Sequence, residues 1–186
     1  MAASIVIGKI GTAVVTLSEI DEYLHEEMLR TSKAVLNLEE LTKTVSLAKS
    51  VGKTVVFTNG CFDLLHPGHI SLLDQAKAAC DRLIVGLNSD SSTTRLKGKG
   101  RPVQGESARE TVLASLASVD LVVVFSEDTP IRMIEAIRPD VLVKGADYRL
   151  DEVVGGDVVK GYGGRILLAE IKNGHSTTST IERMAK

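Results

Sequence analysis

Two of the four histidines in the chain, His66 and His69, stand three residues apart in the stretch TNGCFDLLHPGHI, residues 58–70. Pro67 suits the first position of a helix, so the Pro-Gly pair between the histidines leaves His69 in a first helical turn. Unpaired amides and the positive end of the helix dipole converge at such a start, and a phosphate is its natural occupant. Two imidazoles there add directed donors, and a donor aimed at an oxygen that gains charge in a transition state is worth about 3 kcal/mol. The spacing therefore points to phosphate transfer. Paired histidines also ligate metals, but no cysteine, aspartate or glutamate group completes a shell nearby.

Three other polar stretches carry residues of the same chemistry. NSDSSTTRLKGKGRP, residues 88–102, sets Arg95, Lys97, Lys99 and Arg101 among glycines and hydroxyls. It reads as a basic flap over a polyphosphate, with Lys97 the expected contact. In NGHSTTSTIERM, residues 173–184, the consecutive Ser176, Thr177 and Thr178 exceed what one helix cap needs and suit the terminal phosphates of a nucleotide. VKGADY, residues 143–148, offers Lys144 and Asp147 to a sugar or nucleotide pocket, although Asp147 equally suits a turn hydrogen bond. Asp63 and Asp90 are further acids suited to ligand hydroxyls or magnesium.

The elements that must position these residues alternate regularly. NLEELTKTVSLAKSVG, residues 37–52, has Leu38, Leu41, Val45 and Ala48 on one helical face, Asn37 as N-cap with Glu40 three residues on, and Gly52 to stop it. Apolar runs of strand length follow at 54–57, 82–87, 121–125, 141–144 and 165–169, with helical spacing after each of the first three. A helix starting at Thr129 and Pro130 ends before Pro139, and a last short one follows Ser176. Apolar strands without alternation, each leading to a helix, predict a doubly wound α/β domain with a parallel sheet covered on both faces. Ligands bind such sheets outside the carboxyl ends of the strands, which is where the four polar stretches lie.

With 186 residues, 44% of them hydrophobic, the chain is long enough for one substantial core plus an appendage. Its formal charge of −2 gives no global attraction to nucleic acid or to an anionic membrane, so an anionic ligand must be held by local groups. Two cysteines, Cys61 and Cys80, form no disulfide framework, and the apolar runs of the first fifteen residues are too short for a signal peptide or a membrane span. A soluble cytoplasmic protein is expected.

TNGCFDLLHPGH together with STTSTI resembles the nucleotidyltransferase superfamily with a His-x-Gly-His signature, which has a Rossmann-like fold. With VGLNSDSSTTRLKGKGRPV, VLASLASVDLVVVFSEDTP, VLVKGADY and GHSTTSTI, the chain is more narrowly similar to the adenylyltransferase domains of bacterial ADP-heptose synthesis. That resemblance implies transfer of AMP from ATP to D-glycero-β-D-manno-heptose 1-phosphate, with magnesium as cofactor, for lipopolysaccharide core synthesis. It implies His66, His69 and Lys97 as catalytic residues, and Thr58, Asn59, Gly60, Phe62, Ser176, Thr177 and Thr178 around the nucleotide. Asp63, Asn88, Lys144 and Asp147 fall to the sugar substrate, and no metal ligand is assigned. Arg109 falls where the family has an arginine, with its role open. Residues 1–36 resemble the closing segment of a sugar kinase domain and 37–186 the transferase, so fusion to a kinase is expected, with a single-domain enzyme retaining that tail as the alternative; assembly as a homo-oligomer is expected on general grounds. The same signature also serves cytidylyl transfer to glycerol 3-phosphate, and a non-catalytic nucleotide-binding module is the alternative of a different class.

Overall fold

The computed structural model describes residues 34–170 together with Thr16. The hydroxyl cluster at Ser176, Thr177 and Thr178, and the kinase-like segment apart from its last residues, lie outside that range. Six strands, β1 (Ala34–Leu36), β2 (Val55–Gly60), β3 (Arg82–Asn88), β4 (Leu121–Phe125), β5 (Val141–Gly145) and β6 (Arg165–Ala169), form one sheet in the order β1-β4-β3-β2-β5-β6. Every pairing is parallel. The helices between them are α1 (Leu38–Ser50), α2 (Pro67–Ala78), α3 (Asp90–Lys97), α4 (Glu106–Ala114), α5 (Ile131–Ile137) and α6 (Gly156–Gly161).

The unalternating strands are buried on both faces, as a doubly wound sheet requires. Val56, Leu83, Val85, Leu87, Val122, Val141 and Val143 share one cluster with Leu73 and Ala76 of α2 and Leu113 of α4. Their neighbours in sequence point the other way, toward the side of α5, where Phe57 and Met133 close over Gly86. The cap expected for α1 is present: the Asn37 side chain accepts from the Glu40 amide while the Glu40 carboxylate accepts from the Asn37 amide, each at 3.0 Å.

Three features differ from the sequence reading, the first being helix α6, Gly156–Gly161, in a connection to which sequence assigns no helix. Ala34–Leu36, assigned by sequence to the appendage, pairs with β4 in the sheet, and the compact unit begins at Ala34. A three-residue strand is too short to show a period of its own. The basic flap is also not wholly irregular, because Asp90–Lys97 is helix α3. Serine and threonine have modest helix propensity, which hid it. The helix forms because Ser89 caps the Ser92 amide and the buried Asn88 side chain donates to Ser92 Oγ at 2.9 Å.

Gly86 sits in the middle of the sheet where the close approach of two side chains leaves no room for a methyl group. A Cβ there would lie 2.7 Å from Phe57 Cζ and 3.1 Å from Met133 Cε. Gly86→Ala should cost about 2 kcal/mol through overpacking, seen as a lower urea midpoint with an unchanged slope. An unchanged midpoint would mean that the two faces are not packed as described.

Candidate active site

The chain winds to one side of β2 through β3 and β4, then returns to its other side as β5. The crevice between the ends of β2 and β5 is the topological switch point, where doubly wound sheets bind ligands. β2 delivers Thr58, Asn59 and Gly60 to it, and β5 delivers Lys144 and Gly145. Thr58, Asn59, Gly60, Phe62, Asp63, His66, His69, Lys97, Lys144 and Asp147 all line one cavity of about 330 Å³ there. Ten of the residues singled out in the sequence are thus brought to one place.

His66 is the N-cap of α2 and Pro67 opens the helix, so the backbone reaches the helix from an extended conformation. The two imidazoles stack with centroids 3.8 Å apart and 22° between planes. Burial disfavours the charged form of His69, and the neighbouring His66 adds to this, so its pKa falls to about 4 despite an opposing contribution from the Leu64 backbone. At neutral pH His69 is therefore an uncharged imidazole in the ligand-free site. Phe62 fixes its environment. This residue holds a left-handed φ of 44°, rare for a bulky side chain, and is 7% exposed. Its ring centroid lies 5.2 Å from that of His69, in space left open because Gly60 has no Cβ. Phe62 borders the cavity chiefly as a wedge beneath the histidine.

On the opposite wall the Lys144 ammonium donates to the Asn59 carbonyl at 3.0 Å and lies 5.6 Å from the Tyr148 ring centroid. Burial pushes its pKa down to about 8, while Asp147 and Cys61 pull it back up. Asn59 Oδ1 is buried without a hydrogen-bond partner, an acceptor awaiting a ligand donor. Asp63 is different, because its carboxylate is already engaged. Burial works against its charge, but the amides of Gln104 and Val103 and the Arg101 guanidinium outweigh this and hold its pKa below the ordinary value.

A second depression, about 540 Å³ and more apolar, runs beside α2 past Pro67, Ile70 and Asp74 to Gln75. It touches His66 but is lined by no lysine or arginine, so the chemistry belongs to the smaller cavity.

The family model for cytidylyltransferase-like proteins matches residues 57–183, which include every part of this cavity. The chain belongs to the cytidylyltransferase-like family. Among its relatives are the bifunctional protein HldE of Rhodospirillum rubrum, 58% identical across 99% of this chain, and that of Paramagnetospirillum magneticum, 56% identical across 99%. The chain spans only 37% and 38% of the length of these two relatives. The crystal structure of a lipopolysaccharide core biosynthesis protein from Thermoplasma volcanium superposes with a TM-score of 0.54 at 30% identity, covering 65% of this chain and 98% of that one. A pantoate-beta-alanine ligase from Francisella tularensis, at TM-score 0.52 and 16% identity over 75% of this chain and 68% of that one, shares the fold.

In this cytidylyltransferase-like chain Asn88 does not line the cavity; its side chain is buried against Ser92. Two arginines matter more than sequence reading gave them credit for. Arg101 lines the cavity, and Arg109 is a fully buried hub. Arg109 donates to the carbonyls of Gln104, Cys61 and Asn88 and to the Asp90 carboxylate, tying together three segments that surround the site. The sequence signals were an arginine inside an otherwise amphipathic helix and its match to an arginine of the resembled family, neither of which shows a buried hub. Among the described residues no group of three or more metal-ligating side chains exists. Of the two cavity carboxylates, Asp63 is taken, leaving Asp147. That donor set fits a magnesium ion held mainly by ligand phosphates rather than a resident metal.

His69 supplies a direct test. Its folded pKa lies below the unfolded value of 6.5, so the unfolded state binds the extra proton first and His69 costs stability as pH falls from 6.5 toward 4. Among the four histidine resonances in an NMR titration, the one assigned to His69 should stay in the neutral form down to about pH 4, and His69→Asn should flatten stability across that window. Titration of His69 near 6.5 would contradict the buried, stacked arrangement.

Proposed function

We propose that the chain is an adenylyltransferase moving AMP from ATP to D-glycero-β-D-manno-heptose 1-phosphate, with release of pyrophosphate, on the route to the lipopolysaccharide core. The observation that carries this reading is the stacked His66–His69 pair at the start of α2, facing Lys97 and Lys144 across one cavity. Those groups are donors for phosphate oxygens. The heptose assignment is supported by the motif resemblance, by the HldE relatives and by the likeness to the lipopolysaccharide core biosynthesis protein of Thermoplasma volcanium.

The sugar phosphate oxygen attacks the α-phosphorus in line, with pyrophosphate leaving from the opposite side. Cys80 is not set as a nucleophile: it donates to the Ala76 and Lys77 carbonyls, and burial pushes its pKa up to about 11. Catalysis comes from positioning and charge stabilisation. His66 and His69 donate to the α-phosphate and bridging oxygen, and Lys97 neutralises the phosphate tail. Lys144 and Asp147 hold the acceptor beside the Thr58–Gly60 end of β2 that carries the nucleotide. Magnesium, when bound, neutralises phosphate charge.

Ser176, Thr177 and Thr178 complete the phosphate end in this scheme, and chain length permits it. Gln75 holds both backbone groups of Glu170, at 3.0 and 2.9 Å. From Gln75 back to His66 the helix rises about 14 Å, and the five residues between Glu170 and Ser176 reach about 17 Å when extended. In the full-length protein the transferase is fused to a sugar kinase domain, a reading supported by the resemblance of residues 1–36 and by the bifunctional relatives, of whose length the chain spans 37% and 38%, and it works as a homo-oligomer on general grounds alone.

Pyrophosphate release tests this directly, with ATP and CTP each paired with heptose 1-phosphate and glycerol 3-phosphate. Release with ATP and the heptose alone is expected, and His66→Ala should lower its kcat by about 100- to 1,000-fold with the fold intact. The cytidylyltransferase-like family assignment makes CTP with glycerol 3-phosphate the second reading. Release only from that pair would transfer the function to it. Silence in every pair, with nucleotide still bound, would leave a binding module.

A further inference from the structure

We infer that Asp63 is a positioning residue: its buried carboxylate latches the loop of residues 98–105 and so holds Lys97 over the cavity without itself touching the ligand. Both of its oxygens are occupied. Oδ1 accepts from the amides of Val103 at 2.7 Å and Gln104 at 3.0 Å, and Oδ2 accepts from Arg101 Nε at 2.5 Å. The side chain is 1% exposed, so a sugar hydroxyl would have to displace these donors to reach it.

The loop is pinned from its other side as well. Arg109 Nε donates to the Gln104 carbonyl at 3.0 Å, and its Nη1 reaches back to the Cys61 carbonyl at 2.6 Å. Between these anchors and the end of α3 the chain has little holding it. Gly98 and Gly100 take φ of 92° and 85°, and a Cβ placed on either would meet nothing within 4 Å. Among the described residues the Lys97 side chain makes no hydrogen bond or ion pair, so no side-chain partner sets its place; the backbone of the last turn of α3 does. Thr94 Oγ1 donates to the Arg101 carbonyl at 2.6 Å, coupling the last turn of α3 to the residue that Asp63 grips. The signature loop that carries the histidines is thereby joined through one carboxylate to the flap that carries the lysine. The inference rests on the proposed function only in taking the ligand to bear phosphates.

The flap contains its own reporter, since trypsin cuts after Lys97 and Lys99, while Arg149 lies in a separate exposed turn. Asp63→Asn keeps the shape but loses the charge and sets an amide against three donors. Native digestion followed by mass spectrometry should show cleavage after Lys97 or Lys99 at least about tenfold faster in this variant, with cleavage after Arg149 unchanged. Equal acceleration at all three sites would mean general destabilisation and overturn the latch, as would unchanged cleavage in the flap. Arg101→Gln, which releases the ion pair from the loop side, should give the same pattern more weakly and serves if Asp63→Asn does not fold.

Binding of ATP with magnesium, without any sugar, supplies the second arm. Lys97→Ala should weaken it about tenfold and Asp63→Asn about fivefold, and the double variant should be within about twofold of Lys97→Ala alone. Multiplication of the two factors in the double variant would mean that Asp63 acts independently of Lys97 and overturn the inference. If the wild-type protein binds no ATP, the proposed function fails and the proteolysis pattern alone decides the latch.

Discussion

Everything at this site depends on the change of winding direction at β2. Because the chain goes to β4 on one side of that strand and returns to β5 on the other, no crossover covers the carboxyl ends of β2 and β5. The crevice so left is lined on one side by the start of α2, which carries His66 and His69, and on the other by Lys144 from β5. A sheet wound in one direction would contain the same residues without such a crevice.

The second constraint is charge. The whole chain is slightly acidic, so attraction for a phosphate-bearing ligand must be built locally, and local positive charge is costly to bury. The structure meets that cost unevenly. Arg109 is fully buried and fully paired, and Arg101 is paired with Asp63. Lys144 and His69 instead yield, one with its pKa lowered to about 8 and the other to about 4. Groups that are paired maintain the architecture, while the groups whose charge burial disfavours, His69 and Lys144, line the cavity.

That division explains why carboxylates near the cavity do not act alike. Asp63 and Asp147 border the same space, yet Asp63 has committed its acceptor capacity to a loop more than thirty positions away. From sequence the two acids look equivalent, both following a strand. Only the return of residues 101–104 across the signature loop distinguishes them.

Sequence alone determined the strands β2 to β6, the capped start of α1, and the helix beginning at Pro67 with His69 in its first turn. These are local: burial on both faces forces unbroken apolar runs, and the fixed φ of a proline suits the first position of the helix that follows it. Motif spacing was enough to gather the histidines, Lys97, Lys144 and the end of β2 into one predicted site, because parallel sheets place strand ends together. Tertiary structure decided the rest. β1 exists only because β4 pairs with it, and α3 is tied down from afar, where Ser92 Oγ donates to the Glu127 carbonyl at 3.1 Å. The roles of Asp63 and Arg109 are set by partners up to 48 residues away, and no local pattern encodes a partner at such a distance.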